Sequence, residues 1–369
     1  MYDVIIIGAG PAGISAALEL NKLGINNICI IDRAKFPRLK PCAGYLTTST
    51  KDLLLDMDVD ITNHNYQIIK GFKLFYKNKQ RLHMDNKGLW SNHKIDREEL
   101  DFALFNKAKE KNIIIKEKES VIKHDKDNNK VTTSKSTYSY KHLIFADGTS
   151  GFSSNYQNKH KKKNIALQIT FPSNKKESVD IHFGITKKGY AWVSSTGKIT
   201  NVGFTDVYKR KIDYVKVMED FTKELGFKID KTKIKSSFVP IRINKNIVMN
   251  NNIYFTGDSV GAADPITLAG VSYAILTGKY AALSIKNNNH KEYIKKVKKL
   301  GTKFLSMKLM MDIFYLKTTL FCLFSIGTNF FGEFISYTFD NLFANSKIDY
   351  KSIMKIITGY RKHKKQKQD

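Results

Sequence analysis

The chain is poor in cysteine, poor in acid relative to base, and without a long apolar run, and each scarcity removes a class of protein. Its 369 residues hold three cysteines, Cys29, Cys42 and Cys322, an odd number with no CxxC spacing. Neither a disulfide framework nor a zinc or iron–sulfur site can be assembled from them, so no metal site is expected and a reducing compartment fits best. The start of the chain has no basic n-region and no cleavage site, because Tyr2 and Asp3 lead straight into the apolar run Val4–Ile7. That reads as a cytoplasmic protein. The longest uncharged run, Thr318–Gly332, is shorter than the roughly 20 residues that cross a bilayer. A second GxGxxG is missing too, so no separate NAD(P)H domain is expected. Reducing equivalents must then come from transiently docked NAD(P)H or from a protein donor. Disulfide reductases are also excluded, since Cys42 has no partner a few residues away.

The shortage of acid is large: 34 Asp+Glu against 62 Lys+Arg, a net charge of +28. Such a balance suggests nucleic acid or an anionic membrane surface as a partner. Lys, Asn and Ile are abundant along the whole chain, however, and no basic stripe with interleaved aromatics stands out, so nucleic-acid binding is not expected. A membrane surface remains. Tyr293, Ile294, Val297, Leu300, Phe304 and Leu305 recur at helical spacing, with Lys291, Lys295, Lys298, Lys299 and Lys303 mostly off that stripe. This basic amphipathic pattern fits either a helical cap over a substrate cavity or a surface resting on the inner face of a membrane, and the terminal RKHKKQKQD is compatible with anionic lipid.

What the chain does contain begins at its first residues. YDVIIIGAGPAGISAALELNKLGINNICIIDR reads as strand, glycine turn, helix and second strand. Val4–Ile7 is a continuous apolar run, as in a strand buried on both faces. Gly8, Gly10 and Gly13 form GxGxxG: the first permits the turn, the second lets backbone approach a pyrophosphate, the third lets helix and strand pack. Asp32, nineteen residues past Gly13, is placed to accept from a ribose diol. The fingerprint does not separate FAD from NAD. Far down the chain, NNIYFTGDSVGAADPITLAGVSYAILTGKYAALSI repeats the grammar, with strand Ile253–Thr256, then Gly257-Asp258, then a small-residue loop, then a helix from about Gly270. Asp258 suits a polyol hydroxyl, and the helix start suits a partial negative charge.

In order, GxGxxG, IDREELD, IFADGTSG and TGDSVGAADP resemble the FAD-dependent oxidoreductases of the para-hydroxybenzoate hydroxylase fold. KPCAGYL and GYAWVSSTGKITNVGF further resemble the KPCGG and YxW segments of the geranylgeranyl reductase family. The resemblance implies FAD held by Gly8, Gly10, Ala12 and Gly13 at the pyrophosphate, Asp32 and Arg33 at the adenosine ribose, and Val121 at adenine. It places Arg97 at the diphosphate, Asp258 at the ribityl chain, Gly270 and Val271 at the pyrimidine edge, and Cys42, Ala43 and Gly44 against the flavin. Cys42, Tyr190 and Trp192 become the residues implied to act on substrate. For Tyr190 and Trp192 the residues themselves allow two readings, an apolar tunnel wall or sheet core. His182 reads as structural.

The implied fold class is α/β: a Rossmann-type FAD-binding domain with a parallel sheet, an inserted mostly antiparallel β-sheet substrate domain and a helical C-terminal region. The FAD-binding domain is expected from 1–67, 91–155 and 245–290, the substrate domain from 68–90 and 156–244, and the cap with its basic tail from 291–369. The implied activity is reduction of carbon–carbon double bonds of an isoprenoid by hydride from reduced FAD. Two alternatives stay open: a monooxygenase of an aromatic or polyene substrate, and a membrane-peripheral isoprenoid-binding flavoprotein without net turnover. The chain also departs from the family pattern. Ser194 and Ser195 stand where Phe-Pro often follows YxW, Ala43 replaces a glycine, and Leu268-Ala269 replaces a glycine–acid pair before Gly270.

Overall fold

The computed structural model describes residues 1–314 apart from 65, 70, 78, 86–91, 157–162, 174–177, 196–197, 244–250 and 266. Thr318–Gly332, the basic tail and Cys322 lie outside the described residues. The described chain forms two compact units, each built from separated segments. Met1–Tyr66 gives β1 (Tyr2–Ile7), α1 (Pro11–Lys22), β2 (Ile28–Ile31), β3 (Tyr45–Thr47) and α2 (Thr48–Leu55) to the first unit. Gln67–Lys94 gives β4 (Gln67–Ile69), β5 (Gly71–Tyr76), β6 (Lys79–Asp85) and β7 (Asn92–Lys94) to the second. Ile95–Ala166 returns to the first with α3 (Arg97–Glu110), β8 (Ile114–Lys116), β9 (Val121–Asp125), β10 (Lys130–Thr133), β11 (Thr137–Phe145) and the start of β12 (Lys163–Pro172). The second unit takes the rest of β12, then β13 (Ser178–Phe183), β14 (Ala191–Ser195), β15 (Ile199–Val207) and α4 (Tyr214–Glu224). Lys235–Lys308 completes the first with β16 (Lys235–Pro240), β17 (Ile253–Phe255), α5 (Val271–Lys286) and most of α6 (His290–Phe314).

In the first unit β8, β2, β1, β11 and β17 run parallel in that spatial order, and β11, β10 and β9 form an antiparallel meander at the other end of β11. Every residue of Val4–Ile7, Ile28–Ile31 and Ile253–Phe255 is buried, as strands covered on both faces require. The chain leaves β1 toward β2 on one side and later returns to β11 on the other, so the strand order reverses at the C-terminal end of β1. That is the crevice where doubly wound sheets bind ligands. α6 belongs here as well: the buried Tyr293 hydroxyl donates to the Phe255 carbonyl, and Phe304 meets Tyr273 edge to face at 4.8 Å. The first unit thus runs past residue 290, where the sequence suggests a separate cap, because these apolar anchors fasten α6 to β17 and α5. Leu305, counted in the apolar stripe by its spacing, is 53% exposed.

In the second unit β12, β15, β14, β13, β5 and β6 are neighbours in that order. β5 and β6 form a hairpin, and β13 pairs with β5 in parallel, whereas β13 with β14 and β14 with β15 pair antiparallel. The exception arises because β5 comes from a distant stretch of chain rather than from a tight turn next to β13. α4 covers one face of this sheet. Its Phe221 meets His182 edge to face, and His182 stacks on Phe75 at 4.4 Å. Burial lowers the His182 pKa to about 4, so the imidazole is neutral and packed as core.

Candidate active site

The glycine turn closes because β1 and β11 end side by side. Gly8 has φ 106, and a Cβ there would stand 2.5 Å from the Ala146 carbonyl oxygen. Only a glycine lets the two strand ends approach this closely. α1 begins at Gly10 with Pro11 in its first turn, and no side chain caps it. Its first N–H groups are therefore open to an anion. Ala12, named at the pyrophosphate by resemblance, also has a packing role, because its methyl faces Gly257 across the start of α5.

Asp32 ends β2 with 8% exposure, and its carboxylate accepts from the Ala9 amide at 2.7 Å and the Ala34 amide at 2.8 Å. Each oxygen keeps a second lone pair, enough for a ribose diol. The Glu119 and Lys118 amides donate to the carbonyls of Asp32 and Ala34, which brings the segment entering β9, and so Val121, to this end of the crevice. Arg33 is exposed, and its charge reaches the carboxyl of Asp147.

Arg97 opens α3 and is almost wholly buried, with Nε and Nη2 both donating to Asp101 one turn further on. Burial opposes its charge, but Asp101 and Cys42 outweigh that penalty and hold the guanidinium above its ordinary pKa. Cys42 is therefore set beside a permanent cation, and its Sγ also accepts from the Gly44 amide at 3.4 Å. Gly44, with φ 80, turns the chain back, and its carbonyl accepts from the Ile95 amide, tying the cysteine loop to the start of α3.

At the far end of the crevice Asp258 follows β17. Its Oδ1 is 3.3 Å from where a Gly270 Cβ would lie, and Lys40 Nζ is 3.4 Å from its Oδ2. Gly270 starts α5 without a side-chain cap, and Val271 is the first residue of the helix. Just before it Leu268 has φ 58. The left-handed backbone suited to the family's glycine is retained here by a leucine, at a cost of about 1 kcal/mol. The Asp264 carbonyl accepts from the Leu268 amide, and the Asp264 amide donates to the Ala269 carbonyl, which together close this loop.

The first unit thus brings Gly8, Gly10, Ala12, Gly13, Asp32, Cys42, Ala43, Gly44, Arg97, Asp258, Gly270 and Val271 around one crevice. Asp101 belongs to the IDREELD motif, but Arg38 and Lys40 escaped the sequence reading: they enter through long-range ion pairs with Asp101 and Asp258, hinted at only by the alternation of Arg and Lys with apolar residues in FPRLKPC. Tyr190 and Trp192 lie in the second unit. Trp192 is buried on β14, its indole N–H donating to Asn201 at 3.0 Å, and its ring covers Gly203, where a Cβ would clash with Cζ2. Tyr190 precedes it, ring to ring at 6.2 Å. Among the described residues no group of three or more His, Cys, Asp or Glu is arranged to hold a metal.

Residues 1–156 match the family model described as an FAD binding domain. The chain is 26% identical over 328 residues to a digeranylgeranylglycerophospholipid reductase of Methanosphaera stadtmanae, with 79% of each chain covered. An uncharacterized protein of Methanosarcina barkeri is 28% identical over 295 residues, covering 78% of this chain and 75% of that one. A solved geranylgeranyl bacteriochlorophyll reductase-like protein from Thermoplasma acidophilum has the same fold, with a TM-score of 0.73, 20% identity and 96% and 95% of the two chains covered. The chain is an FAD-dependent oxidoreductase related to the geranylgeranyl reductases. The residues of this flavoprotein fit its cofactor: an uncapped helix start behind a glycine turn, a carboxylate with free lone pairs at each end, and cations between them.

Proposed function

We propose that this flavoprotein reduces carbon–carbon double bonds of an isoprenoid chain, such as a geranylgeranyl or polyprenyl lipid. The observation that carries the reading is the loop Phe36–Gly44, which reaches Gly10 through Arg38 and Asp258 through Lys40 and so follows the crevice from its pyrophosphate end to its ribityl end, with Cys42 at the bend. The reductase names borne by the relatives point the same way. Reduced FAD, when bound, would supply a hydride to one carbon of the double bond, and the neighbouring carbon would take up a proton. The chain's own residues have other tasks. Gly8 to Gly13, Asp32 and Asp258 hold the cofactor, Cys42 contacts the substrate, and Arg97 fixes the cysteine. Trp192 takes the sheet-core reading, its ring packed on Gly203 and its indole N–H bonded to Asn201 within the second unit. NAD(P)H docking transiently, or a protein donor, provides the electrons.

No helix among the described residues is long and apolar enough to cross a membrane. Lys291, Lys295, Lys298 and Lys299 are exposed on α6. We place the protein at an anionic membrane surface, where such lysines are attracted and where prenyl lipids reside. The test is anaerobic: reduce the purified protein with dithionite, add prenyl lipids, follow flavin absorbance and weigh the products. Reoxidation with a product two hydrogens heavier is expected, and Cys42→Ser should retain FAD while turnover falls at least several-fold. Reoxidation by no prenyl lipid sinks the proposal, and oxygen insertion under air would move it to the monooxygenase alternative.

A further inference from the structure

A diphosphate at the start of α1 brings more negative charge than a helix dipole of about half a unit can balance, so a side-chain cation is needed. Arg97, the cation that resemblance places there, has Nε and Nη2 on Asp101. Arg38 is differently placed. Its Nη2 lies 3.2 Å from Asp101 Oδ2, and the same atom stands 3.4 Å from the point a Cβ on Gly10 would occupy. Gly10 is the glycine whose missing side chain leaves room for a phosphate. Arg38 Nη2 therefore borders the phosphate position itself.

The charges around it are unbalanced. Two guanidiniums share the single Asp101 carboxylate, whose side chain is 0% exposed. Arg97 already occupies both oxygens of that carboxylate. The half-buried Arg38, with 20% side-chain exposure, thus shares its carboxylate partner with Arg97, leaving a net positive charge between the two guanidiniums and Asp101, a costly arrangement until an anion arrives. Its position is fixed independently of any ligand. The Phe36 ring stacks on Phe105 of α3 at 4.7 Å, and the Arg38 guanidinium lies over Phe36 at 5.0 Å. Asp101 and Phe105 are one helical turn apart, so a single face of α3 seats both ends of the FPR segment.

We infer that Arg38 neutralises the diphosphate of the bound dinucleotide, with Asp101 as its positioning residue; the inference rests on FAD being the cofactor. A guanidinium presents a planar fork suited to two phosphate oxygens, which an ammonium reproduces only in part. The loop that carries Cys42 is then fastened by the cofactor's own charge.

The experiment titrates FAD, and riboflavin as a probe without phosphates, into deflavinated full-length protein by flavin fluorescence at several salt concentrations. Arg38→Gln should weaken FAD by about tenfold to a hundredfold, leave riboflavin within threefold, and flatten the salt dependence of FAD binding. Arg38→Lys should recover part of the loss, and it supplies the same comparison if the glutamine variant fails to fold. FAD affinity within threefold of wild type in both variants overturns the inference, as does an equal loss for FAD and riboflavin. Wild-type protein that binds no FAD overturns the cofactor reading and this inference together.

Discussion

Asp147 follows the last strand residues of β11, and its carboxylate accepts from both the amide and the hydroxyl of Ser153. Burial pushes its pKa up to about 6, with the Ser153 bonds and the charge of Arg33 pulling the other way. In the unfolded chain the group titrates near its ordinary value of about 3.9. Between about pH 4 and pH 6 the folded state therefore binds more protons than the unfolded, and stability falls as pH rises through that window. Two pKa units correspond to about 3 kcal/mol. In urea unfolding, Asp147→Asn should gain on wild type by up to about 3 kcal/mol from pH 4 to pH 7, and a difference that does not change with pH refutes this. Asp147 was legible in the sequence as part of IFADGTSG, since its neighbours carry the motif. Arg38 was not, because its role exists only where Gly10 and Asp101 meet it.

At the scale of elements, the crossing of α1 and α5 holds the cofactor crevice together. A Cβ on Gly278 would clash with the Ala12 carbonyl and the Ser15 hydroxyl and lie 3.1 Å from the Ala16 amide, while Ser15 Oγ donates to the Ile275 carbonyl across the interface. Two effects oppose each other in Gly278→Ala. Helix propensity favours alanine by about 1 kcal/mol, whereas overpacking costs about 1–3 kcal/mol. The clashing atoms include backbone that cannot rotate away, so sterics should win. A lower urea midpoint for Gly278→Ala is expected, and an unchanged or higher one means the helices separate more easily than this contact implies. Helix α5 itself was readable as a helix from about Gly270, following the strand and the small-residue loop. Its direct seat on α1 was not, since 260 residues separate Ser15 from Ile275. The same limit explains Leu305, which has helical spacing but faces outward because Tyr293, Val297 and Phe304 take the buried stripe.

At the scale of the whole molecule the excess of 62 basic over 34 acidic residues is a property no single element holds. With lysines exposed on α6, the protein should sediment with vesicles containing phosphatidylglycerol and not with pure phosphatidylcholine. Binding should fall steeply between about 0.05 M and about 0.5 M salt as screening shortens the range of attraction. Equal binding to both vesicles, or none to either, removes the membrane-surface proposal.

By itself the sequence determined the dinucleotide-binding fold class, the glycine turn, the ends of the buried strands and the acids that follow them. Those features depend on neighbours a few residues apart, through apolar periodicity and the backbone freedom of glycine. Tertiary structure alone decided that Arg38 borders Gly10, that Lys40 reaches Asp258, that Cys42 is set beside Arg97, and that β5 joins β13 in parallel. Charge pairing and strand pairing act between groups that are close in space whatever their separation along the chain, so they become visible only once the interleaved segments have packed.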